Sequence, residues 1–584
     1  MHIRLTKHTI AGMLLLLCAA AVVDALGQTT TPLARSRYDI QLKIDFDGLS
    51  YSGTEKVTWV NRSEQPASVL YFHLYSNLRP EQSPIVSAYT NQPTDLGEPV
   101  IQITDVRSAN GVSVPYSIDE QGTVLRINLR EQVPAGESTE IVIGFKGSVP
   151  EVDADETGLT SHVVQQVSAA LRNEKEVRRP RNTNFRCKGV MLLGTFYPVL
   201  AVQDGDQWVR KLEPSVGDVV FNEVADYHVK IETAPDVMVF TSAGGERTSA
   251  GGVAVSTAEG LRDFALVAGR TLRSEEKEVG GTTIRSVFTP EHATVGRRVL
   301  GIAEEAVRLF TDKFGPLPLK TITIAEAPLV AGLGSTEFSG LEVIAAAYYI
   351  DFDSPAVRGL PEIIREQRPA VEESLEWSVA HLVAHQWWGV SVGSDPARMA
   401  VLDEGLSSWS ALLYFRHAYG DKKADAILED QLRGVYRLYR TFGGDDMNAN
   451  RPSREYRNTF QYVALVTTKG ALMFVDLEKL LGQEKLIASL RNYYKANVLE
   501  IAELDDLRGA VIAEAPIDKR RVVGRTFNRW LATKSGDTDI AKPDPELMTS
   551  LGLPAKPNPQ KDRNALTPFA RVGKFFWQQM TRIR

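Results

Sequence analysis

Two histidines four positions apart, in HLVAHQWWG at residues 381–389, form a pattern that can hold a metal ion. On a helix, positions i and i+4 share one face, so His381 and His385 can offer both imidazoles to one ion. Zinc takes such nitrogens at about 2.0–2.1 Å, and a catalytic zinc needs a third protein ligand and an open position. Glu404 follows His385 after eighteen intervening residues, in VLDEGLSSW. That interval suits a helix, a loop and a second helix that returns a carboxylate to the same point. A lone H-x-x-x-H pair is usually two unrelated histidines. Here the pair, the spaced glutamate and the flanking QWWG occur together.

These residues resemble the gluzincin zinc aminopeptidases, the membrane alanyl aminopeptidase family. The pattern of that family is H-E-x-x-H, eighteen residues, then a glutamate in N/D-E-G. Three other stretches agree. GLGSTEFSGLEVI at 332–344 lies where the family has G-x-M-E-N, the loop that holds the free amino terminus of a substrate. TTKGALMFVDLEKLLG at 467–482 resembles the segment with Y-x-K-G, and TFNRWL at 526–531 resembles the end of the catalytic domain. The resemblance covers about residues 36 to 535 and stops before the large helical C-terminal domain of many members, as in a short form. It implies an enzyme that removes N-terminal residues from peptides. It makes His381, His385 and Glu404 the ligands of one Zn2+, and it assigns Glu337, with Gly334 in the same loop, to the ammonium group of a peptide N-terminus. A carboxylate suits that role, because a charge-assisted bond to an ammonium restricts binding to chain ends. The loop departs from the family at Thr336 and Phe338.

Two further departures fall on the reaction itself. Leu382 stands where the family carries its general base, and Thr467 stands where it carries the tyrosine that donates to the oxyanion. A positioned base contributes about 10²–10⁴ in rate. One oxyanion donor contributes about 10²–10³. Leucine carries no proton, and threonine is shorter than tyrosine. Candidate replacements are Glu337, which the resemblance gives another task, and Tyr462, five positions before Thr467. Glu376 precedes His381 by five positions and, at about 100° per residue, points away from the metal face. Glu372 and Glu373 lie further back. The expectation is a zinc-binding protein of aminopeptidase type in which hydrolysis is weak or lost. Two rivals are a non-catalytic protein that captures peptide N-termini, and a hydrolase of altered chemistry that uses a substitute base on an easier bond.

These residues must be positioned by two kinds of structure. From about Ser36, YDIQLKIDF, GTEKVTWV and SVLYFHLY alternate apolar and polar residues, and TVLRINL, TEIVIGF, DYHVKIETAP and DFALVAG continue the series. SANGVS is a hairpin turn signal. Residues 151–185 are charged, break the alternation and read as a surface excursion. The period then changes. EHATVGRRVLGIAEEAVRLFTDKFG has helical spacing with Gly315 at its stop, KTITIAEAPL is a short strand, and PAVEESLEWSVAHLVAHQWWG is a long helix opened by a proline and closed by Gly389. Further helices are expected at 403–420, 462–482, 486–497 and 519–533. The predicted architecture is α+β and multidomain. An all-β, saddle-like N-terminal domain spans 36–270, a thermolysin-like, α-rich metallopeptidase domain spans 275–535, and a tail spans 536–584.

The 584 residues are 43% apolar and 24% charged, with net charge −7, which is ordinary globular composition. The two signs are interspersed, and no basic face points to nucleic acid. MHIRLTKH, the apolar TIAGMLLLLCAAAVV and the small residues of DALGQ read as a secretory signal peptide over 1–27, so export to a periplasmic or extracellular space is expected. A lipid anchor on Cys18 is not expected, because Leu17 precedes it. Cys187 then remains alone and reads as a small buried apolar residue. Phe569, Val572, Phe575 and Phe576 recur at helical spacing in the tail beside Arg571, Lys574, Arg582 and Arg584. Docking on the protein itself is the expected use of that segment, and any membrane contact would run through it.

Overall fold

The computed structural model describes residues 35–550 except 81–96, 172–174, 245–251, 360–361 and 367. The signal-peptide segment, Cys18 and the aromatic tail segment lie outside the described residues. Among the described residues no helix is long and apolar enough to cross a membrane.

The N-terminal part is β-structure because its sequence alternates. In Ser36–Asp45 every second residue from Tyr38 to Ile44 is buried, so Tyr38, Ile40, Leu42 and Ile44 share the core face. This strand pairs antiparallel with Ser50–Val60 and parallel with Ala225–Glu232. The six-stranded sheet is completed by Val253–Leu261 on one side and by Ser138–Ser148 and Val100–Ser108 on the other. Two four-stranded sheets pack with it, and Tyr38, Phe145, Tyr197 and Tyr227 fill the space between.

Residues 151–185 are not a surface excursion. Leu159–Leu171 is a helix that buries His162, Val163, Gln166, Val167 and Ala169. The spacing of Val163 and Val167 is helical, but the charged flanks on both sides hid it. Cys187 is buried in the strand that follows.

The second part opens with a five-stranded sheet in the order Arg273–Val279, Thr282–Phe288, Thr321–Ala327, Leu341–Ala345, Ser335–Phe338. The last of these is an antiparallel edge strand, and it carries Glu337 opposite Glu342. Helices Ala293–Phe314, Arg368–His385, Val401–Tyr419, Thr468–Leu481, Gln483–Asn497, Leu504–Glu514 and Arg520–Ala532 pack beside it. Leu504–Glu514 falls in a stretch for which no helix was expected. Between Thr459–Tyr462 and Thr468–Leu481 the chain makes a π turn over Val463–Thr467, where the Thr468 amide bonds to the Val463 carbonyl.

Two contacts fix the assembly. The helices Val401–Tyr419 and Thr468–Leu481 cross at paired glycines. A Cβ on Gly470 would lie 2.9 Å from the Gly405 Cα, so only glycine permits this approach. Arg262, at the end of the β-part, is buried and donates to three carbonyl oxygens, Val390 at 2.7 Å, Asn222 at 3.2 Å and Glu500 at 2.6 Å.

Candidate metal centre

The helix Arg368–His385 is buried on every side from Ser374 onward, because Leu375, Val379 and Val383 face one part of the core and Trp377, Ala380 and Ala384 another. A helix of this kind is a rigid base for ligands. His381 and His385 project from one face, with Nε2 atoms 2.9 Å apart. The Glu404 Oε2 lies 3.6 Å from the His381 Nε2. The three groups offer ligand atoms that all fall within 4.8 Å of one another, and all three residues are buried. Tetrahedral zinc with bonds of about 2.0–2.1 Å separates its ligands by about 3.3 Å, so this donor set fits zinc in both chemistry and spacing.

The ligands are themselves held. The Ser408 Oγ lies 3.1 Å from the His381 Nδ1, one helical turn beyond Glu404. With Nε2 given to a metal, Nδ1–H donates to that hydroxyl and fixes the ring. The Thr467 hydroxyl donates to the Glu404 Oε2 at 3.3 Å. Thr467 therefore supports the Glu404 carboxylate. The crossing at Gly405 and Gly470 makes this contact possible, since it brings the two helices together one and three residues away. Gly389, at φ 103°, turns the chain tightly over His385, and a Cβ there would lie 3.6 Å from the His385 Nδ1 and 3.3 Å from the Asp403 Cβ. Burial pushes the Asp403 carboxyl well above the carboxylate range, and neighbouring Glu404 adds to it.

Leu382 is 0% exposed and belongs to the main core. The glutamates upstream on its helix are engaged elsewhere. Glu376 accepts from the Tyr414 and Tyr419 hydroxyls at 3.0 and 2.6 Å. Glu372 pairs with Arg368 and Arg298, and Glu373 with Lys423.

Two spaces are each lined by one member of the triad. A cavity of about 850 Å3 is bounded by the helix Leu159–Leu171, the loop through Arg178, Gly334, Glu404, Tyr462 and Thr467. A small pocket of about 50 Å3 on the far side holds His385, Asp403, Glu337, Asp218 and Asp263. The structure thus brings together His381, His385, Glu404 and Thr467, puts Gly334 and Tyr462 in the cavity wall, and sets Glu337 in the acidic pocket beside His385. Burial raises the Asp263 carboxyl to about 7, while Ser339 donates to it. Burial also keeps the Tyr462 phenol protonated, as does nearby Glu404. Sequence reasoning missed Ser408, although its i+4 relation to Glu404 was readable. It also missed Arg178, Asp218, Asp263 and Asp403. Three of these lie in distant segments of the chain, with no local pattern to mark them.

Residues 365–530 match the peptidase family M1 domain. Over about 84–85% of this chain the fold is that of solved M1 zinc metallopeptidases. One from Deinococcus radiodurans superposes with a TM-score of 0.53 at 16% identity, over 84% of this chain and 93% of the other. The family match covers the part of the chain that holds His381, His385 and Glu404. A variant of the Deinococcus radiodurans enzyme bound to a Tyr-Ser-Ala substrate has a TM-score of 0.53 at 17% identity, over 85% of this chain and 94% of that one. In sequence, aminopeptidase M1-B of Oryza sativa subsp. japonica is 25% identical over 254 residues, or 42% of this chain. The match spans 26% of the length of that rice protein. The M1 architecture of an all-β domain followed by a helical domain is the one expected from the sequence.

Proposed function

We propose that this M1 protein binds one zinc ion at His381, His385 and Glu404 and holds peptide N-termini there, with hydrolysis weak or lost. The observation that carries the reading is an intact and supported ligand triad beside a base position filled by Leu382, 0% exposed. When bound, zinc supplies Lewis-acid polarisation of a carbonyl and activation of water. The chain's own residues supply the rest. Glu337, in the pocket beside His385, takes the ligand ammonium. Thr467 and Ser408 keep the ligands in place. No side chain at position 382 accepts a proton, and the hydroxyl at 467 is directed to Glu404. Capture without turnover is favoured over altered hydrolysis because Glu372, Glu373 and Glu376 are all committed to partners away from the triad. The sequence of residues 1–27 supports an exported protein.

Zinc content and turnover of aminoacyl amides and esters, measured on one purified sample, test the reading. About one zinc per chain and little turnover are expected. Protein that stays metal-free with zinc present refutes the metal site. Amide turnover in the usual enzyme range of about 1–10³ per second refutes the loss of the base.

A further inference from the structure

Ser215–Asp218 is a short segment of the β-part that organises two side chains at the edge of the large cavity. The Ser215 carbonyl accepts the backbone amide of Arg178 at 2.8 Å. Gly217 seats the ring of Tyr462, for a Cβ on Gly217 would lie 2.8 Å from the Tyr462 hydroxyl oxygen. Asp218 lines the small space where Arg178 meets Glu337. Arg178 therefore lines both that space and the cavity that reaches Glu404, and Tyr462 shares the cavity wall with it.

We propose that Arg178 and Tyr462 form a carboxylate-binding subsite beside the metal triad, so that the preferred ligand carries a carboxylate as well as an amine. The inference rests on the reading that Glu337 takes the amine. A guanidinium offers five donors in a planar fork that matches a carboxylate, and a phenol adds one more. Burial alone would lower the Arg178 guanidinium, but Glu337 and then Asp218 outweigh it and hold the charge firmly on. The Tyr462 phenol stays protonated and available as a donor. The π turn at Val463–Thr467 contributes by geometry. Five residues span about 140° beyond a full turn on an α-helix and about 50° on a π-helix, which brings Tyr462 closer to the face of Thr467.

The test is calorimetric binding to the zinc-loaded full chain with three probes, leucine, leucinamide and isoglutamine. Leucine has an α-carboxylate, leucinamide has none, and isoglutamine has only a side-chain carboxylate. Leucine or isoglutamine should bind about 10- to 100-fold more tightly than leucinamide, the usual range for hydrogen bonds to a charged group. Whichever of the two binds tighter identifies the source of the carboxylate. Arg178→Met should remove the preference with zinc content unchanged, and Arg178→Lys should keep part of it. Tyr462→Phe provides a second variant with a smaller loss. Equal binding of all three probes by wild type overturns the proposal, as does a preference that survives both Arg178→Met and Tyr462→Phe. Such results would leave the metal and the weak turnover untouched, so failure of the subsite is distinct from failure of the function on which it rests.

Discussion

Replacing Thr467 by valine should weaken zinc binding without removing a ligand. Valine nearly matches threonine in shape and deletes only the hydroxyl that donates to the Glu404 Oε2 at 3.3 Å. A hydrogen bond to a charged partner contributes about 1.5–3 kcal/mol, and a bond of this length belongs at the lower end. That corresponds to about a tenfold loss, the lower limit of the 10–100-fold range for groups that support metal ligands. The assay is reloading of metal-free protein against a chelator of known affinity. Thr467→Ser keeps the hydroxyl and serves as the control. Ser408→Ala removes the support of a different ligand, the 3.1 Å contact to His381. If the two hydroxyls act on separate ligands, the double variant should lose about a hundredfold. Unchanged affinity in Thr467→Val would refute the idea that Thr467 supports the metal, and its place in the family's tyrosine position would then lack a physical account.

Three other changes probe the same frame. Leu382→Glu with Thr467→Tyr should turn over aminoacyl amides about 10²-fold faster than wild type and faster than either single change. Its melting temperature should drop, since a carboxylate enters a fully buried position; a variant no faster than Leu382→Glu alone would remove the tyrosine from the account. Gly470→Ala should cost about 1–3 kcal/mol in urea denaturation, because the new Cβ meets the Gly405 Cα at 2.9 Å and the Val401 Cγ2 at 3.0 Å; no loss would mean that the helices can part freely. Asp263 is raised by burial from 3.8 to about 7, so the folded state holds the proton more tightly. Its contribution is complete below pH about 4 and is lost as pH rises through about 7, amounting to the order of 4 kcal/mol at 1.36 kcal/mol per unit. Asp263→Asn should abolish that part of the decline, and parallel stability curves for the two proteins would exclude it.

The grouping of His381, His385 and Glu404 was legible because a helix repeats on a known period and a short loop returns the chain to one point. The β-strands were legible because Ser36–Asp45 and its neighbours alternate cleanly. What stayed hidden had no local signature. The helix Leu159–Leu171 is flanked by charge on both sides, so its Val163 and Val167 carried too little contrast. The π turn adds a single residue per turn, a shift that composition does not record. Arg178, Asp218 and Glu337 meet only after the β-part folds against the helical part. The bond that Thr467 makes was not legible. Its partner, Glu404, lies 63 residues away, and the pairing depends on a helix crossing that two single glycines do not announce.

The domain boundary near residue 270 looks like a place to divide the chain, yet Arg262 argues that the halves are not independent parts. Its guanidinium bonds to a carbonyl on its own side, that of Asn222, and to two across the boundary, Val390 and Glu500. Burial pulls it down to about 10, so at neutral pH it remains a cation sealed within the protein. An N-terminal fragment made by cutting there would open that cation to water and keep one carbonyl acceptor of three, so the bonds that dock the two parts would be lost. The other fragment would keep the loop after His385 tied to Glu500 and Ala502 through Gly393, but would lose the guanidinium that joins the Val390 and Glu500 carbonyls. Domain exchange between relatives would therefore have to carry position 262 together with a backbone path that places carbonyls at 390 and 500 against it.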